Sequence, residues 1–175
     1  MKILAKQALA GVAIMGGAIM LAGCYQSDSS IIPAADSIMP LKVGHYCEYS
    51  FDETQRGWGT ECTDAELTST APNTYTFKTS VTTYAVHISG KPLDGGDLKG
   101  NYLVEACDTV DTTNGCYVGT IKVFDNQSFH WVYPACASPD DAECKLADEA
   151  AARSAFASAT AWGTDDLRKY VWKSN

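Results

Sequence analysis

The chain has 175 residues, is 46% hydrophobic and carries 13 Lys and Arg against 21 Asp and Glu, a formal net charge of −8. That length suits one domain with a proper hydrophobic core. An acidic chain without clustered Lys or Arg repels nucleic acid and anionic lipid, so no nucleic-acid partner is expected.

The first residues read as a secretory signal. Lys2 and Lys6 make a positive start, and residues 8–23 carry no charge yet are too few to span a bilayer comfortably as a mature helix. The stretch ends in Leu21-Ala22-Gly23-Cys24, which resembles the lipobox of bacterial lipoproteins, where a small residue precedes the cysteine at which a membrane peptidase cuts. The resemblance implies removal of residues 1–23 and a lipidated, palmitate-bearing Cys24, with the membrane as first partner through that lipid. Tyr25, in place of the aspartate associated with inner-membrane retention, favours the outer membrane, on its periplasmic or surface face. Cleavage would remove Lys2 and Lys6 and leave a formal charge of −10, eleven basic residues against 21 acidic.

Residues 24–40 mix Ser27, Asp28, Ser29, Ser30, Pro33 and Pro40 without a period and read as a flexible tether from the anchor, although Ile31, Ile32, Ile38 and Met39 are apolar enough for part of it to dock. Residues 41–175 read as a single exported domain. The first strand covers His45 to Phe51. From Tyr75 to Ser89 the apolar parity switches from Tyr75, Phe77 and Val81 to Tyr84, Val86 and Ile88, which requires an extra residue near Thr82 or a tight hairpin near Thr79. Gly90 to Gly100 is a loop, broken by Pro92, Gly95 and Gly96.

Further strands follow over Asn101–Cys107 and Cys116–Phe124, joined by a turn ending in Asn114-Gly115 that tolerates positive φ. Asp125-Asn126-Gln127-Ser128 reverses the chain into Phe129–Tyr133, completing a meander. Beyond Pro134 the pattern becomes helical. Ser138-Pro139-Asp140-Asp141 supplies a cap and first-turn acids, Ala142, Leu146, Ala150 and Ala157 form a small-residue face beside Phe156, and Gly163 is the stop. Thr164-Asp165-Asp166 then caps a short helix with Leu167, Tyr170 and Val171 as its buried stripe. The fold expected is α+β: an antiparallel β meander or small partly open barrel with a C-terminal helix of about five turns and a short terminal helix, stapled by disulfides.

Beyond Cys24 six cysteines remain, an even number in an oxidising compartment. Sequence alone leaves their connectivity open; the set expected is nearest neighbours, Cys47 with Cys62, Cys107 with Cys116, and Cys136 with Cys144, each closing a short loop. No Cys-x-x-Cys or close His pair supports zinc. Asp94 with Asp97, and Asp108 with Asp111 and Asn114, are spaced by three and not alternately as calcium loops require. No metal or cofactor is therefore expected. His45, His87 and His130 each lie in a strand without a neighbouring ligand, and no Gly-x-Ser-x-Gly or phosphate-binding glycine loop is present.

These absences argue against an enzyme. The leading expectation is a non-enzymatic, lipid-anchored envelope protein serving as a protein-interaction or accessory module. Its surface would be Trp58, flanked by Gly57 and Gly59 and beside Arg56, meeting another envelope protein. One alternative is a small-ligand or carbohydrate binder with a concave aromatic site. Another is an inhibitor of a lytic enzyme such as lysozyme, because a small disulfide-bonded β domain on a lipid anchor is similar in architecture to the exported lysozyme-inhibitor lipoproteins. Their recognition motif pairs Ser-Gly with a nearby Tyr, and Ser89-Gly90-Lys91-Pro92-Leu93 lacks that Tyr.

Overall fold

A computed structural model describes residues 24–52, 55–134, 136, 144–158 and 167–175. The elements run β1 (Gln26–Ser27), β2 (Gly44–Asp52), β3 (Gly57–Trp58), β4 (Thr63–Ala71), β5 (Thr74–Lys78), β6 (Thr83–Pro92), β7 (Tyr102–Asp108), β8 (Cys116–Asp125), β9 (Ser128–Val132), α1 (Glu149–Ser158) and β10 (Leu167–Ser174). From β4 to β9 each strand pairs antiparallel with the next, β2 pairs with β4, and β10 pairs with both β9 and β2. Eight strands thus close into an up-and-down barrel that leaves no open edge.

Alternation along each strand fills this barrel. Direct cross-strand partners share a face, so the registers Tyr46↔Ala65, Leu67↔Phe77, Val86↔Ala106, Ile121↔Trp131 and Phe129↔Tyr170 place one continuous apolar set inside. Aromatic rings dominate the middle. Phe129 stacks on Tyr170 at 4.7 Å, and Tyr46 meets Phe129 edge-on at 5.4 Å. Gly119 permits the tight crossing of β8 and β9, because a Cβ there would meet Val132 O at 2.6 Å.

One end is plugged. Tyr75 Oη accepts from Leu41 N at 2.7 Å and donates to Leu41 O at 2.8 Å, while Tyr46 Oη donates to Lys42 O at 2.6 Å. Two phenols therefore satisfy the backbone of the chain that crosses this end, with Leu41 pressed into the core.

Residues 24–37 run along the outer wall. β1 pairs with β8 at Gln26↔Tyr117 and Ser27↔Cys116, and Tyr25 O accepts from Val118 N at 2.9 Å. Gly115, at φ +66, makes room for this segment, since a Cβ would lie 2.2 Å from Ser27 O. Ile32 is fully buried in a second cluster with Leu103, Val118, Leu146 and Phe156, which places α1 over β7 and β8. The stretch that composition marks as a tether is packed here by its isoleucines. Fastening it is Glu105, a buried carboxylate on the outer face of β7 that accepts from Ile31 N at 2.7 Å, Ile32 N at 3.2 Å and the Ser30 hydroxyl.

Three disulfides staple the wall: Cys47–Cys62, Cys107–Cys116 and Cys136–Cys144. The Cys107–Cys116 bridge joins directly paired residues at adjoining ends of β7 and β8.

The α+β expectation is corrected to a mostly β, closed barrel. In place of a helix of about five turns, α1 has 10 residues. Its buried face is Ala152 and Phe156, and Asp148 caps it by accepting from Ala151 N at 2.8 Å. The expected terminal helix is β10. Leu167, Tyr170 and Val171 fit a helical stripe, yet Arg168, Tyr170 and Trp172 also alternate, and the unpaired edges of β2 and β9 favour the strand. β4 carries only Ala65 and Leu67 as buried residues, too faint an apolar pattern to mark a strand, and β3 is two residues long. The parity switch after Phe77 is the tight hairpin, with Thr79 Oγ1 accepting from Val81 N and Thr82 N, both at 3.3 Å. The signal segment, the Ser138–Asp141 cap, the Gly163 stop and the Thr164–Asp166 cap lie outside the described residues.

Candidate functional site

At the end opposite the plug the inward rows change character. The next inward position after Tyr46 is Glu48, and its β10 partner is Tyr170, preceded on the same face by Arg168. Tyr170 Oη donates to Glu48 Oε2 at 3.0 Å, and Arg168 Nε lies 3.4 Å from Glu48 Oε1. Around this triad a cavity of about 220 Å³ opens, floored by Phe77, Trp131 and Tyr133 and rimmed by Thr63, Tyr84 and the Thr79–Val81 turn.

The floor is a run of flat rings. Trp131 stacks on Tyr133 at 5.7 Å and tilts against Phe77 at 5.7 Å, and Phe77 meets Tyr170 edge-on at 5.4 Å. Burial pushes the Tyr133 and Tyr170 phenols well above their ordinary pKa; nearby Tyr84 reinforces the shift at Tyr133, and Glu48 reinforces it at Tyr170. Both remain neutral donors at any physiological pH. Trp131 Nε1 is buried without a hydrogen-bond partner among the described residues. Among the described residues the site thus offers aromatic faces, hydroxyls and an ion pair, a set that can bind and orient a polar ring.

Trp58 is half-buried on the outer wall, away from this cavity. β3 folds back on β2 through Phe51↔Trp58, and the indole meets Phe51 at 5.4 Å and His130 at 4.7 Å. Arg56 is exposed in the preceding turn at φ +49. Cys24, the one described cysteine outside a disulfide, is buried at the start of the wall segment.

The three histidines stay apart. His45 faces Asp64 at 3.3 Å on the surface, and burial, then Lys169 and Lys122, lower the pKa of His130. His87 Nδ1 lies 2.8 Å from Glu105 Oε1 and its Nε2 3.2 Å from Thr74 Oγ1. This row has the order of a hydrolytic triad, but Glu105 also holds Ser30, Ile31 and Ile32, so its carboxylate works as a fastening. Glu105, Cys107 and Cys116 come close enough to suggest a metal site, but both sulfurs are committed to a disulfide. Asp108 and Asp111 turn their oxygens to backbone N–H groups at Val110, Asp111 and Thr113, as turn residues do; Asp94 and Asp97 are exposed.

No family model matches the chain, and neither a curated protein nor a solved structure does. Its function therefore rests on its own geometry. Glu48 and Arg168 escape a linear reading because 120 residues separate them; the only sequence signal was the alternation of Arg168, Tyr170 and Trp172.

Proposed function

We propose that this chain is a non-enzymatic, lipid-anchored binding protein whose barrel mouth takes a compact, ring-shaped polar molecule, with a single sugar ring as the model ligand. The carrying observation is the cavity of about 220 Å³ in which Trp131, Tyr133 and Phe77 face the Glu48–Arg168–Tyr170 triad. Sites for drug-sized ligands run from roughly 300 to 1,000 Å³, so a smaller molecule fits. A sugar ring presents C–H faces to aromatic rings and a fringe of hydroxyls to charged, planar side chains, the two chemistries this mouth combines. The mouth supports the ligand-binding reading over a protein-interaction module centred on Trp58 because it gathers rings, hydroxyls and an ion pair around one cavity, whereas Trp58 lies outside that lining on the outer wall.

Calorimetric titration with a panel of neutral, acidic and amino monosaccharides tests the proposal. Saturable binding by at least one of them, weakened tenfold or more in Arg168→Ala with the fold intact, is the expected result. Absence of a saturable response across the panel, or equal binding by the variant, refutes it.

A further inference from the structure

The outer wall formed by β8, β9, β10 and β2 carries a second feature, independent of the mouth. Lys122 pairs with His130, His130 with Lys169, and Lys169 with Tyr49, so four outward side chains form one row across four strands. Rings roof this row. Phe124 meets His130 at 4.6 Å, Trp58 meets it at 4.7 Å, Lys122 Nζ lies 5.5 Å from the Phe124 ring, and Lys169 Nζ lies 5.9 Å from Trp58 and 5.8 Å from Tyr49. Phe124 is 52% exposed, a costly place for a phenyl ring in water.

The charge is equally out of character. In a chain of net charge −8, neither lysine has an ion-pair partner among the described residues. Asp125, the nearest acid in sequence to Phe124, is turned into its own hairpin by accepting from Gln127 N at 2.7 Å. Two ammonium groups with no ion-pair partner among the described residues, beside an exposed phenyl ring, complement an anionic surface. Lysine is depleted at protein interfaces, whereas lysine with Trp, Tyr and Phe is the composition of bilayer-contacting surfaces.

The position of the wall fits the same partner. Tyr25 is bonded to Val118 on β8, only four residues from Lys122, so about 14 Å separates the start of the wall segment from the row. We infer that this wall is a bilayer-docking face whose Lys122 and Lys169 take anionic phospholipid headgroups while Phe124 and Trp58 enter the interface. A lipid on the adjacent Cys24 would hold the wall within reach, raising its effective concentration at the bilayer.

The test follows the Trp58 share of emission, taken as the difference between the full chain and its Trp58→Phe variant, on vesicles containing brominated lipid. Phosphatidylglycerol–phosphatidylcholine vesicles are compared with phosphatidylcholine alone. Docking quenches Trp58 on the anionic vesicles, and the preference for them falls roughly tenfold in Lys122→Glu/Lys169→Glu and is retained in Lys78→Glu/Lys99→Glu, an equal charge change elsewhere. Equal quenching on both vesicle types, or equal loss in the two double variants, overturns the inference. So does a Trp58 response to poly-glutamate without one to vesicles, which would assign the face to an acidic protein. Thermal unfolding of each variant establishes that it is folded, and Phe124→Ser provides a charge-neutral second variant expected to weaken the quenching.

Discussion

The two ends of the barrel use the same alternation for opposite purposes. At the plugged end Tyr46 and Tyr75 turn their hydroxyls to the backbone of Leu41 and Lys42, so every polar group that the crossing chain buries there through these contacts is matched within the protein. At the mouth the polar groups are side chains matched to one another, Glu48 with Arg168 and Tyr170, beside a cavity. A backbone partner fixes a structure, because its loss strands a buried amide. Side-chain partners can be exchanged for a ligand's groups at lower cost.

The comparison breaks most severely if the shared core is emptied. Phe129, 1% exposed and wedged between Tyr46 and Tyr170, connects the ends; Phe129→Ala should cost about 3–5 kcal/mol by urea unfolding and disturb both. Next comes Tyr75→Phe, which strands the Leu41 amide and carbonyl and should cost about 1–3 kcal/mol without affecting ligand titrations.

The same phenol gives a pH signature. Burial pushes the Tyr75 pKa up to about 12. A raised folded value contributes stability that is complete below the unfolded value near 10 and is lost as pH rises towards about 12. The midpoint of unfolding should therefore fall between those limits in the wild type and fall less in Tyr75→Phe.

At the mouth the expectation inverts. Glu48 and Arg168 are partly exposed, so Arg168→Ala should change stability by under about 1 kcal/mol while weakening ligand binding tenfold or more. A large stability loss there would make the mouth a structural seal. The smallest effect belongs to the outer wall. Because His130 has a lowered pKa, the unfolded chain takes up its proton first, and stability present above about pH 6.5 is lost as pH falls through the folded value. His130→Gln should flatten the melting temperature below pH 6.5, which circular dichroism can follow.

How much of this was legible depended on distance along the chain. Neighbouring strands and their turns were readable because Tyr102–Asp108, Cys116–Asp125 and Ser128–Val132 alternate locally between clear turn residues. β10 was not, because its eight residues carry both a helical stripe in Leu167, Tyr170 and Val171 and an alternation in Arg168, Tyr170 and Trp172, and what decides between them is a β2 edge more than a hundred residues earlier. The aromatic content marked a concave ring-lined site as an alternative. Its polar half was hidden, since Glu48 and Arg168 gain meaning only from closure. The row of Lys122, His130 and Lys169 was hidden for the same reason: His130 and Trp58 were each visible, but not that the barrel brings them together.

Closure also dictates when the fold can form. Glu48 and Tyr170 are 122 residues apart, Tyr25 bonds to Val118, and Ile31 bonds to Glu105, so both the last strand and the first wait for distant partners. Local hairpins can assemble within microseconds, but the loops that unite β2 with β10 are among the longest this chain can make, and such topologies fold in milliseconds to seconds. Until Leu167–Ser174 arrives, β2 and β9 remain unpaired edges, so the chain's exposure to aggregation is set by how long this last strand is withheld.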